Sequence, residues 1–192
     1  MRLFGAIAIA LLGGCGTGTQ GTGYVEGAFT VLGCTSASDQ SFPAFAFDVK
    51  HVVNRRNQDN MEVVLLHYPV DLEETDGLVM QFASVRALRT ARAAVAPGPL
   101  TVELATGSAP ARAALSLFVT CPSAPTLHAV AGSVTFTRLE LQEDPTKAGL
   151  DEVVTGTLTA SVSGPDRSRI LGTIKATFDF VPENASQIGS PR

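Results

Sequence analysis

The chain has 192 residues, 45% of them hydrophobic, and a formal net charge of −4. That length suits one domain with a sizeable core. A mildly acidic chain without a basic patch argues against nucleic acid as a partner, and charged residues at only 17% predict strands that are largely buried.

Residues 1–14 read as a leader. Arg2 supplies a positive charge, Leu3 to Leu12 is apolar apart from Gly5, and Gly13 and Gly14 precede Cys15. This is the order of a secretory signal. It is too short to span a membrane, because a helix needs ~20 apolar residues to cross a bilayer. The stretch Leu12-Gly13-Gly14-Cys15 resembles the lipobox of bacterial lipoproteins, with Gly13 a mild departure from the usual Ala or Ser. The resemblance covers residues 1 to about 16. It implies a diacylglycerol on the Cys15 sulfur, cleavage just before it, fatty acylation of the new N-terminus, and a membrane partner reached through that lipid. By the enteric sorting rule, Gly16 where an inner-membrane protein would carry Asp favours the outer membrane. Gly16-Thr17-Gly18-Thr19-Gln20-Gly21 matches G-x-G-x-x-G, but a dinucleotide site needs that motif after a strand and before a helix. Here it follows a leader, so residues 15–23 read as a flexible Gly/Thr tether.

A single β domain is expected over residues 24–182, with 183–192 as a polar tail. Tyr24 to Cys34 reads as a strand, and Ala44 to Val53 as another with Phe45, Phe47, Val49, His51 and Val53 on one face. Residues 54–60 (NRRNQDN) read as a polar loop. Met61 to Tyr68 is a nearly continuous apolar run, the mark of a strand covered on both faces. Leu78 to Ser84 is a further strand. Residues 85–95 combine helical spacing (Val85, Leu88, Arg92, Val95) with Ala and Arg, and predict one short helix stopped by Pro97-Gly98-Pro99. Leu100 to Ala105 and Arg112 to Cys121 are strands, with Leu115, Leu117, Val119 and Cys121 sharing a face.

In Gly132 to Gln142 the apolar phase changes from Val134 and Phe136 to Leu139 and Leu141, which predicts a β-bulge near Thr137 and Arg138. Val154 to Val162 and Ile170 to Phe180 alternate cleanly and form a hairpin with one wet face. Matching apolar faces requires paired numbers with an even sum. A sum of 332 pairs Val162 with Ile170, Leu158 with Ile174 and Val154 with Phe178, leaving a loop over 164–168. Eight or nine strands joined by Gly- and Pro-containing loops predict an all-β fold, an antiparallel β-sandwich or partly closed barrel.

With Cys15 lipidated, Cys34 and Cys121 remain, and an even pair in an exported chain reads as one disulfide. Chain entropy alone gives such a long loop ~4–5 kcal/mol as an upper value. Two buried thiols or a metal pair are the alternatives; the missing Cys-x-x-Cys spacing speaks against metal.

His51, His67 and His128 show no metal-ligand spacing, and His51 and His67 fall within strands, where buried histidines are ordinary. Asp71, Glu73, Glu74 and Asp76 form an acidic loop that lacks the EF-hand pattern. With no Trp and two Tyr, an aromatic sugar platform is hard to build. No G-x-S-x-G elbow is present. Arg86, Arg89 and Arg92 form a basic stripe suited to anionic headgroups or a partner, though such stripes are commonly solvated faces. Thr155, Thr157, Thr159, Thr173 and Thr177 form a hydroxyl row of the kind favoured on any exposed strand face.

No catalytic residue, metal ligand or cofactor is therefore assigned. The expectation is a non-catalytic binding or structural domain held at the bacterial envelope by Cys15, with an envelope protein as possible partner. The alternatives are a carrier that uses a barrel interior for a small apolar ligand and, behind it, an envelope hydrolase.

Overall fold

The computed structural model describes residues 21–30, 41–57, 59–68, 75–106, 109–121, 126–142, 152–164, 166–167 and 169–181. Ten strands and one helix follow in the order β1 (Gly21–Thr30), β2 (Ser41–Val49), β3 (His51–Asn57), β4 (Asn60–Leu66), β5 (Asp76–Phe82), α1 (Val85–Val95), β6 (Leu100–Leu104), β7 (Ala111–Leu117), β8 (Thr126–Glu140), β9 (Val153–Ser163) and β10 (Ile170–Phe180). The fold is all-β, as expected, and forms one sheet of order β2-β1-β10-β9-β8-β6-β7-β5-β4-β3.

The two ends of that order are one piece of chain. Only Lys50 separates β2 from β3, and its N–H donates to the Leu66 carbonyl at 2.9 Å. Before Lys50 the buried residues are Phe45, Phe47 and Val49; after it they are Val52 and Asn54. The inward parity therefore flips at Lys50, as it does when one extra residue bends a strand. The bent strand pairs with β1 through its first part and with β4 through its second. The sheet thereby curls into a nearly closed barrel. Going round it, strands adjacent in space are adjacent in the chain, apart from the inserted α1 and β6, and β10 returns to β1. This corrects the single-face reading of Ala44 to Val53: His51 and Val53 turn outward. The expected polar loop 54–60 is also largely strand, with β3 running to Asn57 and β4 starting at Asn60. The chain also enters its first strand earlier than expected, so that Gly21 and Gly23 belong to β1 rather than to a tether.

β6 opens a seam in the barrel. β8 pairs first with β7, from Thr126 to His128, and then with β6, from Gly132 to Phe136. Gly132 stands at the switch with φ +139°, a conformation open to glycine at little steric penalty. A Cβ there would collide with the Thr159 carbonyl oxygen and approach Ala160 Cα to 2.5 Å. The bulge expected near Thr137 and Arg138 is present, between Phe136 and Arg138.

The β9–β10 hairpin has the expected parity but a different register. Leu158 pairs with Ala176, Gly156 with Phe178 and Val154 with Phe180, a slide of two positions in the sum, with an irregularity between Ile170 and Gly172. The slide leaves Ile170 61% exposed, and it sets Phe178 opposite a glycine instead of opposite Val154. A Cβ on Gly156 would lie 2.8 Å from Phe178 Cζ; the aromatic ring occupies the space that the missing side chain leaves. On its other side Phe178 pairs with Gly23. Large rings over small residues fill the barrel: Phe82, Phe136, Phe178 and Phe180 form a chain with centroid separations of 5.5, 6.1 and 6.2 Å. All four are at most 2% exposed.

The predicted helix is α1. Ser84 is its N-cap, its Oγ accepting the Ala87 N–H at 3.0 Å. Asp59, in the β3–β4 turn, reinforces that end: its carboxylate accepts the Arg86 N–H at 2.8 Å and the Ser84 hydroxyl at 2.6 Å, and its carbonyl accepts the Val85 N–H at 2.5 Å. Negative charge at a helix N-terminus is favourable. Val85 and Leu88 join the barrel core, so α1 is fixed beside the β3–β4 turn, at the end of the barrel where β3 and β5 finish. β7 is shorter than expected. Leu115, Leu117 and Cys121 are buried, but Val119 lies in a turn and is 58% exposed.

Candidate functional site

The end of the barrel that carries α1 gathers the features with binding character. The strand ends β4, β5 and β7 shape a pocket of about 440 Å³ there, lined by Asn60, Met61, Glu62, Gln81, Phe82 and Arg112 among others. Glu62, Gln81 and Arg112 form a cross-strand row through the pairs Glu62–Gln81 and Gln81–Arg112. Gln81 Nε2 donates to Glu62 Oε2 at 2.9 Å. The arrangement offers a carboxylate, an amide and a guanidinium beside Met61 and Phe82. Such a mix suits recognition of a polar surface and has no nucleophile paired with a base.

Asn54 lies on the same side of β3 as Val52, only 8% exposed, and neither its Oδ1 nor its Nδ2 has a hydrogen-bond partner. A buried amide left unpaired costs about 1–3 kcal/mol. Ser163 Oγ is likewise buried without a partner. Its cross-strand neighbour is His128. Burial, and secondarily the charge of Arg167, holds the His128 pKa below the usual 6.5.

The residues singled out from the sequence are dispersed. Cys15 and Cys34 lie outside the described residues, as do Asp71, Glu73 and Glu74. Cys121 is wholly buried after β7. Asp76 is not part of a solvated loop: it is 5% exposed, and it holds the turn that carries Val119 and Thr120. His51 pairs with Leu66 across β3–β4. The His67 ring lies 5.4 Å from Phe47 and 4.1 Å from Tyr68, with Nδ1 3.3 Å from the Asp48 carbonyl. His51 and His67 are neighbours where β3 begins and β4 ends, whereas His128 is on β8, between Ala114 of β7 and Ser163 of β9. Among the described residues no three His, Cys, Asp or Glu side chains converge as a metal site. The threonine row ties neighbouring strands together. Thr155 Oγ1 donates to Asp179 at 3.1 Å, and Thr137 Oγ1 to the Thr155 carbonyl at 3.2 Å.

Sequence reasoning missed Asp59, Asn54 and the Glu62–Gln81–Arg112 row. Asp59 carried a usable signal, an acidic turn residue with a later Ser84 cap to serve. The row has none, since it exists only through strand register. Compared with family models, curated proteins and solved structures, the chain matches none of them.

Proposed function

We propose that this chain is a lipid-anchored protein of the bacterial envelope, attached through Cys15, more readily at the outer than at the inner membrane. Its barrel binds another envelope component through its exterior and performs no catalysis. The observation that carries the exterior reading is the chain of rings Phe82, Phe136, Phe178 and Phe180, which takes up interior space that a carried ligand would need. The polar row beside the pocket at the α1 end is the exterior feature best suited to a partner. Cross-linking from Gln81 in intact cells tests this. A discrete adduct with an envelope component supports it; no adduct from Gln81 or from the outward Thr157 contradicts it.

The Cys34–Cys121 disulfide belongs to the same proposal. It is supported by complete burial of Cys121 and by a sulfur that is not a free thiol. Peptide mass mapping without reductant should link the two cysteines; free thiols at both would overturn the pairing.

One observation favours a second reading, a carrier of a small apolar ligand: the unpaired amide of Asn54, which would be the ligand's polar contact. Asn54→Leu separates the two. In a dry core the substitution is neutral or stabilising. In a carrier it abolishes co-purification of a ligand that solvent extraction releases from the unaltered protein. The hydrolase reading gains no support, since the charged neighbour of His128 is Arg167 and Ser163 is wholly buried.

A further inference from the structure

β5 and β7 set two side chains of different chemistry side by side in the lining of the pocket at the α1 end. Gln81 and Arg112 are direct cross-strand partners, and both are exposed. The roots of such a pair stand about 5 Å apart. Glu62, on the other side of Gln81, decides which way the amide faces. Its carboxylate accepts the Gln81 Nε2–H at 2.9 Å, and an ionised carboxylate can only accept. Gln81 Oε1 is therefore left as an acceptor that no described residue uses. Arg112 presents the complementary group. Among the described residues its guanidinium has no hydrogen-bond or ion-pair partner. The rest of the lining includes the apolar Met61, Phe82, Ala83 and Ala109. The Ala83 N–H ties this wall together by donating to the Pro110 carbonyl at 2.9 Å.

An open acceptor beside an unpaired guanidinium matches a ligand that carries an N–H next to a carboxylate. The apolar lining adds room for a small side chain. The last residue of a peptide has all three groups, since its amide N–H and its carboxylate flank the one carbon that bears the side chain. Arginine receives a carboxylate through two parallel N–H bonds. The volume of about 440 Å³ lies within the range of small-ligand sites. Glu62 adds a negative charge to the same row, so the row suits a single carboxylate better than a polyanion. We propose that this pocket takes the carboxyl terminus of a peptide, with its carboxylate on Arg112, its amide N–H on Gln81 Oε1 and its terminal side chain against Met61 and Phe82. This rests on the exterior docking proposed above and names the chemistry that the envelope component presents there.

The test titrates N-acetyl-Ala-Ala into the purified protein in detergent and follows binding by calorimetry, beside the same peptide with its carboxylate capped as the amide. The acid is expected to bind about tenfold more tightly than the amide, the difference that one charge-assisted hydrogen bond makes. Arg112→Gln should bring the acid level with the amide, and Gln81→Leu should weaken the acid about fivefold. Arg169→Gln, exposed at the start of β10 at the opposite end, should leave it unchanged. Both altered side chains of the site are exposed, so the urea midpoints of these variants should match that of the unaltered protein. Equal binding of acid and amide, or an equal loss with Arg169→Gln, overturns the proposal. Acetate that binds as well as the peptide also overturns it, because a bare anion has no N–H for Gln81. Cross-linking in intact cells, from a neighbouring position such as Asn60, reads the docking separately. An adduct that Arg112→Gln leaves undiminished contradicts the carboxyl-terminus reading alone, whereas no adduct at all contradicts the docking on which it rests.

Discussion

Asp76 holds Thr120 by both of its carboxylate oxygens: Oδ1 accepts the Thr120 N–H at 3.1 Å, and the Thr120 hydroxyl donates to Oδ2. Oδ1 also accepts the Val119 N–H at 2.9 Å. The next residue, Cys121, donates its N–H to the Leu117 carbonyl at 2.7 Å. A carboxylate at the start of β5 thus closes the turn after β7 and places the buried cysteine. Hydrogen bonds to a charged acceptor contribute about 1.5–3 kcal/mol each, less than additively when shared. Asp76→Ala is expected to lower the unfolding free energy by about 3 kcal/mol, measured by urea denaturation. A change below the scatter of the method would show that water replaces the carboxylate.

Gly132 is the second sensitive point. Gly132→Ala must adopt a φ of +139° and must push its Cβ against Thr159 and Ala160. Both belong to β9, a backbone that cannot swing aside as a side-chain tip does. The variant is expected to lose several kcal/mol, on the order of 3 or more, and to accumulate as insoluble protein. Soluble Gly132→Ala with an unchanged melting temperature would contradict the seam described between β6 and β7.

The pKa of His128 is held below 6.5, by burial first and Arg167 second. The folded chain thus takes up this proton less readily than the unfolded chain, and the unfolded state gains protons first as the solution is acidified. The contribution is complete above pH 6.5 and shrinks as pH falls from there towards the lowered folded value. Unfolding midpoints measured across that window should fall with acid in the unaltered protein and more weakly in His128→Gln. Identical slopes would remove His128 as their source.

The parts of the fold that were legible are those where local pattern and burial agree. The clean alternation of Val154 to Val162 and Ile170 to Phe180 reveals two strands and their inward faces. The phase change around Thr137 reveals a bulge. Three arginines and several alanines between Ser84 and Pro97 reveal a helix. Register escaped because parity leaves a choice among slides of two, and the choice is made by Gly156 and Gly23 making room for Phe178, a tertiary fact. The loop expected at residues 54–60 failed because polar composition outweighed the pairing of β3 with β4, which places Asn54 inside. The pocket escaped because Glu62, Gln81 and Arg112 are distant in sequence and meet only across three strands.

The most direct test of the account concerns Cys15. The intact mass of the protein extracted from membranes should show cleavage before Cys15 and addition of a diacylglycerol and an acyl chain, and Cys15→Ser should appear in the soluble fraction. A membrane-extracted chain that begins elsewhere or carries no lipid, together with unchanged fractionation of Cys15→Ser, would contradict it.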